Sequence, residues 1–351
     1  MKTKREVGIA GYGAYIPMLR VRAQAIADAW GRDGGEGRLP VREKSVPGLD
    51  EDTVTMAIEA ARSAVARAGC DPAGIRAVWV GTESKPYAVK PSSTIVAEAI
   101  GATPWVSAAD LEFACKAGSE AMQVACAYVG SGMADYALAI GMDAAQSKPG
   151  DALEFTAAAG GAAYLIGPAE ESLATIEASR SFVSDTPDFF RRQHMHYPEH
   201  GHRFTGEPSY FSHSRSASKG LLESLGRTAR DYRWAVFHQP NPKFMRKIAT
   251  ELGFSEEQIA PGAVVDRIGN TYSGASLLGL AAILDVAAAG DRIFFCSYGS
   301  GAGSDAFSLL ATERLARVRA KAPAVQDYLE RRHTIEDYGR YLRISGKIRM
   351  L

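Results

Sequence analysis

Ala77-Val78-Trp79-Val80, closed by Gly81-Thr82-Glu83, returns 156 residues later as Arg233-Trp234-Ala235-Val236, closed by Phe237-His238-Gln239. Each run is apolar, too short for a helix and bounded by turn residues, which predicts a buried strand. The same offset carries Gly118 onto Gly274 and Asp135 onto Asp291, and superposes the segment 116–140 on 272–296. Around the first copy, short apolar runs (Val7 to Ala10, Ala77 to Val80, Tyr136 to Ile140) alternate with segments of helical period at 53–69, 92–100 and 116–129. That alternation predicts an α/β fold. A repeat this long exceeds any solenoid unit and predicts two pseudo-equivalent halves. The division expected is 1–170, 171–312 and a tail from 313 to 351.

Loops at strand ends are where α/β sheets bind ligands. Two-fold packing of the halves would bring Glu83 and His238 to one cleft from equivalent loops. His238 ends a strand just before Pro240, a rigid place for acid–base work. Glu83 reads either as a base in a semi-buried site or as a surface carboxylate. Cys115, in Asp-Leu-Glu-Phe-Ala-Cys-Lys-Ala-Gly, stands where a strand gives way to a helix. There the helix N-terminus, with Lys116 as an added cation, is expected to favour the thiolate. The competing reading is a small buried residue. Cys126 and Cys296 fall in a helix and a strand and read as core, and Cys70 as a helix end. Gly269 to Gly274 and Ser297 to Ser304 are small, Gly-rich turns that let backbone N–H groups approach a developing oxyanion. Neither has the Lys-Ser/Thr ending or the strand–GxGxxG–helix setting of a nucleotide loop. His194, His196, His200 and His202 have spacings that suit zinc, but the surrounding loop offers no evident second shell, and no metal site is assigned.

Composition excludes several classes. Lys plus Arg number 40 against 40 Asp plus Glu, with 46% hydrophobic residues and 35 Gly. A polyanion binder needs a basic excess, so nucleic acid is not an expected partner. The apolar segment Leu277 to Ala289 is interrupted by Asp285 and is shorter than the roughly 20 residues of a membrane span. The N-terminus reads as a strand rather than a secretory signal, and four scattered Cys without a CxxC pair suit reduced thiols in a cytoplasm.

Taken together, Cys115-Lys-Ala-Gly, Phe237-His-Gln-Pro-Asn, Gly269-Asn-Thr-Tyr-Ser-Gly-Ala-Ser and Ser297-Tyr-Gly-Ser-Gly-Ala-Gly-Ser-Asp resemble the hydroxymethylglutaryl-CoA synthase family in its compact archaeal-type form. Segments 11–17, 43–48, 149–161 and 203–208 extend the resemblance along nearly the whole chain. It implies a thiolase-like fold, its two halves stacked in five layers, α-β-α-β-α. It implies Cys115 as acyl carrier, Glu83 as general base and His238 as general acid in condensing acetyl-CoA with acetoacetyl-CoA, within mevalonate synthesis of isoprenoid precursors. Backbone N–H groups near Cys115 and the Ser300 to Ser304 turn would hold the enolate oxygen. Asn270, Thr156, Thr205 and Ser300 would contact substrate, and Lys243 and Lys247 the CoA phosphates; Pro242 and Met245 depart from the family pattern beside them. No cofactor beyond the CoA thioesters is implied. Partners implied are a homo-oligomer, dimer or tetramer, and a complex with an acetoacetyl-CoA thiolase and a small bridging protein.

Two rivals share these motifs. An initiating-type ketoacyl synthase, or a polyketide-forming relative, makes its carbanion by losing CO₂ and needs no carboxylate base, so Glu83 discriminates. A non-catalytic scaffold would be expected to lose Cys115, Glu83 or His238. Charge is not evenly spread: from Glu313 onward ten basic residues face five acidic ones, leaving thirty against thirty-five before it. That basic tail is expected either to dock a partner or neighbouring subunit, or to be a solvated extension.

Overall fold

The computed structural model describes residues 1–34, 37–145 and 147–348; the last three positions of the tail, 349–351, lie outside the described residues. Nine strands form one sheet: β1 (Val7–Tyr15), β2 (Ile75–Gly81), β3 (Ser107–Leu111), β4 (Tyr136–Ala144), β5 (Ala159–Pro168), β6 (Ala174–Val183), β7 (Trp234–Phe237), β8 (Arg292–Cys296) and β9 (Gly303–Ala311). Their order is β7-β8-β9-β6-β1-β5-β4-β2-β3. Read outward from its centre, the order is self-similar. The central pair β1 and β6 is antiparallel, each is flanked by an antiparallel strand (β5, β9), and the outer strands run parallel (β4 with β2, β8 with β7). The halves are thus joined edge to edge at Gly8–Ile9 against Ala174–Thr175.

Alternation of side chains along the strands builds the layers. Val78 and Val80 pack outward on Met56, Ala60 and Ala64 of the helix Thr53–Ala68, while Ala77 and Trp79 face inward to the central core. In the second half Phe294 and Cys296 face outward to the helices Phe211–Leu225 and Pro242–Glu251, and Ile293 and Phe295 face inward. The shared central layer holds the helices Ala117–Gly130 and Ala275–Leu284. Every residue of Ala275–Leu284 is buried, as expected of a helix that is apolar all round. The apolar segment read at 277–289 is therefore the middle of this stack, and among the described residues no helix is long and apolar enough to cross a membrane.

The 156-residue offset holds only for the middle of each half. It aligns β4 with β8 and the two central helices, whereas β2 and β7 are one residue out of step with it, since Ala77 stands beside Ala137 and Trp234 beside Ile293. The first and last strands drift: β6 begins 167 residues after β1, and β9 begins 144 after β5. The counterpart of β3 is missing among the described residues, since the offset places it at 263–267, where the short helix Val265–Ile268 occurs.

The tail does not stand free. His333–Ile335 pairs in parallel with Leu19–Arg22, which also pairs with Glu43–Val46. Buried Arg67 donates to Tyr12 O (2.9 Å) in β1 and to Ala322 O (2.8 Å) and Pro323 O (2.9 Å) in the tail. Leu315, Val325, Tyr328, Leu329, Ile335 and Tyr341 are buried. The spaced apolar positions fold the segment back onto both halves, so it is not the solvated extension that its charge excess allowed.

Candidate active site

Cys115 sits one turn before the helix Ala117–Gly130, after Ala114 in the left-handed region (φ 44°). The loop is held close by missing side chains. A Cβ on Gly118 would lie 2.7 Å from Ser273 O, and one on Gly299 2.6 Å from Phe113 O. The second half therefore presses its two Gly-rich turns directly against the cysteine loop. Cys115 is 3% exposed, packed with Ala157 and Tyr272, and its Sγ–H donates to Glu83 Oε1 at 3.5 Å.

Glu83 follows the end of β2, and buried Asp143 at the end of β4 fixes its loop. Asp143 Oδ1 accepts from Thr82 Oγ1 (2.7 Å), Glu83 N (2.9 Å) and Ser84 Oγ (2.6 Å), and its Oδ2 accepts from Ser273 N (2.9 Å) in the other half. Arg191 donates to Glu83 O at 3.4 Å. Burial, then the nearby Asp143 carboxylate, pushes the Glu83 carboxyl well above the usual range. Burial, then the Glu83 and Asp143 charges, pushes the Cys115 thiol up as well. This overturns the expected electrostatics. The Lys116 ammonium is turned away from the thiol onto Glu120 and Asp305, so it does not offset those charges.

His238 follows β7 with its backbone N–H on Cys296 O (2.8 Å) and its own carbonyl accepting from Tyr210 Oη (2.8 Å). It is 2% exposed, and burial lowers its pKa to about 3, so it is neutral at ordinary pH. Its buried Nδ1 has no hydrogen-bond partner among the described residues. Beside it Tyr298 donates to buried Asp188 Oδ2 (2.9 Å), and Asp188 Oδ1 accepts Gly301 N (2.8 Å), which shapes the turn carrying Ser300.

Cys115, Thr156, Thr205, His238, Asn270 and Ser300 all line one cavity of about 310 Å³. Asn270 and Thr156 are paired through backbone (Asn270 N to Thr156 O, 2.7 Å). Glu83 reaches this chamber through its bond to Cys115. Lys243 and Lys247 do not line it; they lie exposed on the helix Pro242–Glu251, whose first turn supplies Asn241 and Phe244 to the cavity wall. A larger hollow of about 460 Å³ near Met1 contains Cys126 but no histidine.

Sequence reasoning missed Asp143, Asp188, Tyr272 and Tyr298. Asp143 had a signal: it is a lone carboxylate in the apolar run 136–145, at the strand end next to that of Glu83. The His-rich loop is placed at the cavity, where His200 and His202 form part of the wall; His200 Nδ1 accepts His202 N–H (3.3 Å). Among the described residues no three His, Cys, Asp or Glu side chains converge as a metal ion requires.

A carboxylate with a raised pKa is a working base only above that value. If Glu83 removes a proton in the slow step, turnover should fall as pH drops through the raised Glu83 pKa, so the acid limb should lie above the ordinary carboxylate range. A pH profile of kcat at saturating substrate checks this, and a limb at the value of a solvated Glu contradicts it.

A family model for the C-terminal region of 3-oxoacyl-[acyl-carrier-protein] synthase III matches residues 222–309. The hydroxymethylglutaryl-CoA synthase of Thermococcus kodakarensis is 60% identical over 348 residues, covering 99% of this chain and 98% of that one. A solved structure described as MvaS in complex with 3-hydroxy-3-methylglutaryl coenzyme A superposes with a TM-score of 0.88 at 25% identity, covering 99% of this chain and 93% of that one. The 3-oxoacyl-(acyl carrier protein) synthase III of Pseudomonas aeruginosa PAO1 shares the thiolase-like fold, with a TM-score of 0.79 at 19% identity over 88% of this chain and 99% of that one.

Proposed function

The chain belongs to the hydroxymethylglutaryl-CoA synthase family, and from that premise we propose how its residues divide the reaction. The enzyme condenses acetyl-CoA with acetoacetyl-CoA and water to 3-hydroxy-3-methylglutaryl-CoA and CoA. Cys115 attacks the acetyl thioester as its thiolate, and the proton it releases goes to the departing CoA thiolate. The Glu83 carboxylate then takes a proton from the methyl group of acetyl-Cys115. N–H groups of the Cys115 loop and the Ser300 turn hold the enolate oxygen in a site with little water. The enolate carbon attacks the ketone of acetoacetyl-CoA, placed by Asn270, Thr156 and Thr205. His238 offers its ring N–H to the forming alkoxide, and the proton held by Glu83 makes good the one it gives up. Water then cleaves the Cys115 thioester, leaving a carboxylate on the product and the thiol restored.

The observation that carries this reading is the Sγ–H to Oε1 bond between Cys115 and Glu83. A base touching the nucleophile is placed to deprotonate an acyl group carried on that sulfur. These steps use no metal and no cofactor beyond the CoA thioesters themselves. Lys243 and Lys247, exposed on the helix whose first turn walls the cavity, are proposed to meet the CoA phosphates. A reducing cytoplasm, in the mevalonate route, is the setting proposed. The reading includes a homo-oligomer formed along edge strand β3, beside which Trp105 is 80% exposed, and assembly with an acetoacetyl-CoA thiolase and a small bridging protein.

Intact-mass analysis after mixing with acetyl-CoA tests the proposal. One acetyl group should appear on Cys115 and be discharged on adding acetoacetyl-CoA. An adduct that acetoacetyl-CoA does not discharge would refute the condensation sequence.

A further inference from the structure

Lys116, next to the nucleophile, is fully buried, and its ammonium meets the equally buried carboxylate of Asp305 at 3.0 Å. Asp305 belongs to β9 of the second half, so the pair crosses between halves one residue from the reacting sulfur. The carboxylate is fully engaged: Oδ2 also accepts Ser119 Oγ (2.7 Å), and Oδ1 accepts Ser181 Oγ (2.6 Å). The backbone of Asp305 is tied as tightly. Its carbonyl accepts Ser297 N (2.9 Å), its N–H donates to Ser297 Oγ (3.2 Å), and Ser297 Oγ meets Ser119 Oγ at 2.6 Å. Ser297 starts the turn that carries Ser300, and Gly299 in that turn lies against Phe113 and Lys116. Asp305 therefore holds the cysteine loop on one side and the Ser300 turn on the other.

We propose that Asp305 and Lys116 form a brace that sets the spacing between Cys115 and the Ser300 turn, making both of them positioning residues for acyl transfer. The inference rests on Cys115 being the acyl carrier. Burying an ion pair is a poor route to stability, because desolvation offsets most of the attraction. Its distinct effect here is geometric, and misplacing reacting groups by about 1 Å costs on the order of 10²-fold in rate.

The experiment compares wild type with Asp305→Asn, Ser297→Ala and the apolar double variant Lys116→Met/Asp305→Leu. Acetyl-enzyme formation is followed by rapid-quench mass analysis, the thiol by iodoacetamide alkylation against pH, and folding by thermal unfolding. Asp305→Asn should slow acetyl transfer by roughly 10- to 100-fold with little change in KM for acetyl-CoA and an unmoved alkylation midpoint. Ser297→Ala, which removes one hydroxyl, should stay folded and lose less, and the double variant should stay folded and slow. Acetyl transfer at the wild-type rate in a folded Asp305→Asn or double variant overturns the brace. So does a lowered rate in the double variant accompanied by a raised alkylation midpoint, since Lys116 would then act on the thiol by charge. If Asp305→Asn fails to fold, Ser297→Ala decides: an unchanged rate overturns the brace and a lowered rate supports it. A wild-type adduct on a residue other than Cys115 would instead overturn the carrier assignment, and the brace with it.

Discussion

Cys115→Ala should lose product formation by roughly 10⁴-fold or more, because among the described residues Cys115 is the one thiol lining the cavity. Cys126 and Cys296 do not substitute for it: both are buried in the core, and burial pushes both thiols up to about 12. The change takes one sulfur from the cavity and leaves its other lining residues in place, so the variant should still bind CoA thioesters. The checks are product formation together with the acetyl adduct in the intact-mass assay. An adduct of unchanged size on the Ala variant would place the carrier elsewhere.

Glu83→Ala should separate the two halves of the reaction. Condensation should fall by about 10²- to 10⁴-fold, the range for losing a positioned general base. Acetylation should survive, because the Glu83 carboxylate is one cause of the raised Cys115 pKa and its removal lets the thiol ionise more readily. The variant should therefore accumulate acetyl-enzyme that acetoacetyl-CoA fails to discharge. Condensation at near the wild-type rate would instead point to decarboxylative chemistry of the ketoacyl synthase kind, which needs no carboxylate there.

The layered fold was legible because repeated strands keep the period of two in both halves: Ala137 and Ala139 face the centre as Ile293 and Phe295 do, and Leu138 and Ile140 face out as Phe294 and Cys296 do. The continuous sheet was not legible, since the pairing of Gly8–Ile9 with Ala174–Thr175 depends on two strands that fall outside the constant offset. Within the site, Cys115, Glu83 and His238 announced themselves by their chemistry at strand ends. Lys116 misled for a physical reason: sequence fixes which residue follows Cys115 but not where a long flexible side chain turns, and a buried acid 189 residues away decided that. Asp143 and Asp188 were passed over because a carboxylate inside a folded body has meaning only through the N–H and O–H groups that converge on it. The packing of the tail was not legible because net charge was weighed and its spaced apolar residues were not.

The pairing of His333–Ile335 with Leu19–Arg22 bears on how the protein comes to be made. The strand Leu19–Arg22 is made early, yet its partner on one side, His333–Ile335, follows only about three hundred residues later. Until then it presents an unpaired backbone edge to its surroundings, an exposure that invites wrong partners. Arg67 likewise waits for Ala322 and Pro323. A chain broken off by premature termination would thus keep its catalytic residues but leave this seam open, giving quality-control proteases a mark by which to tell it from a finished molecule.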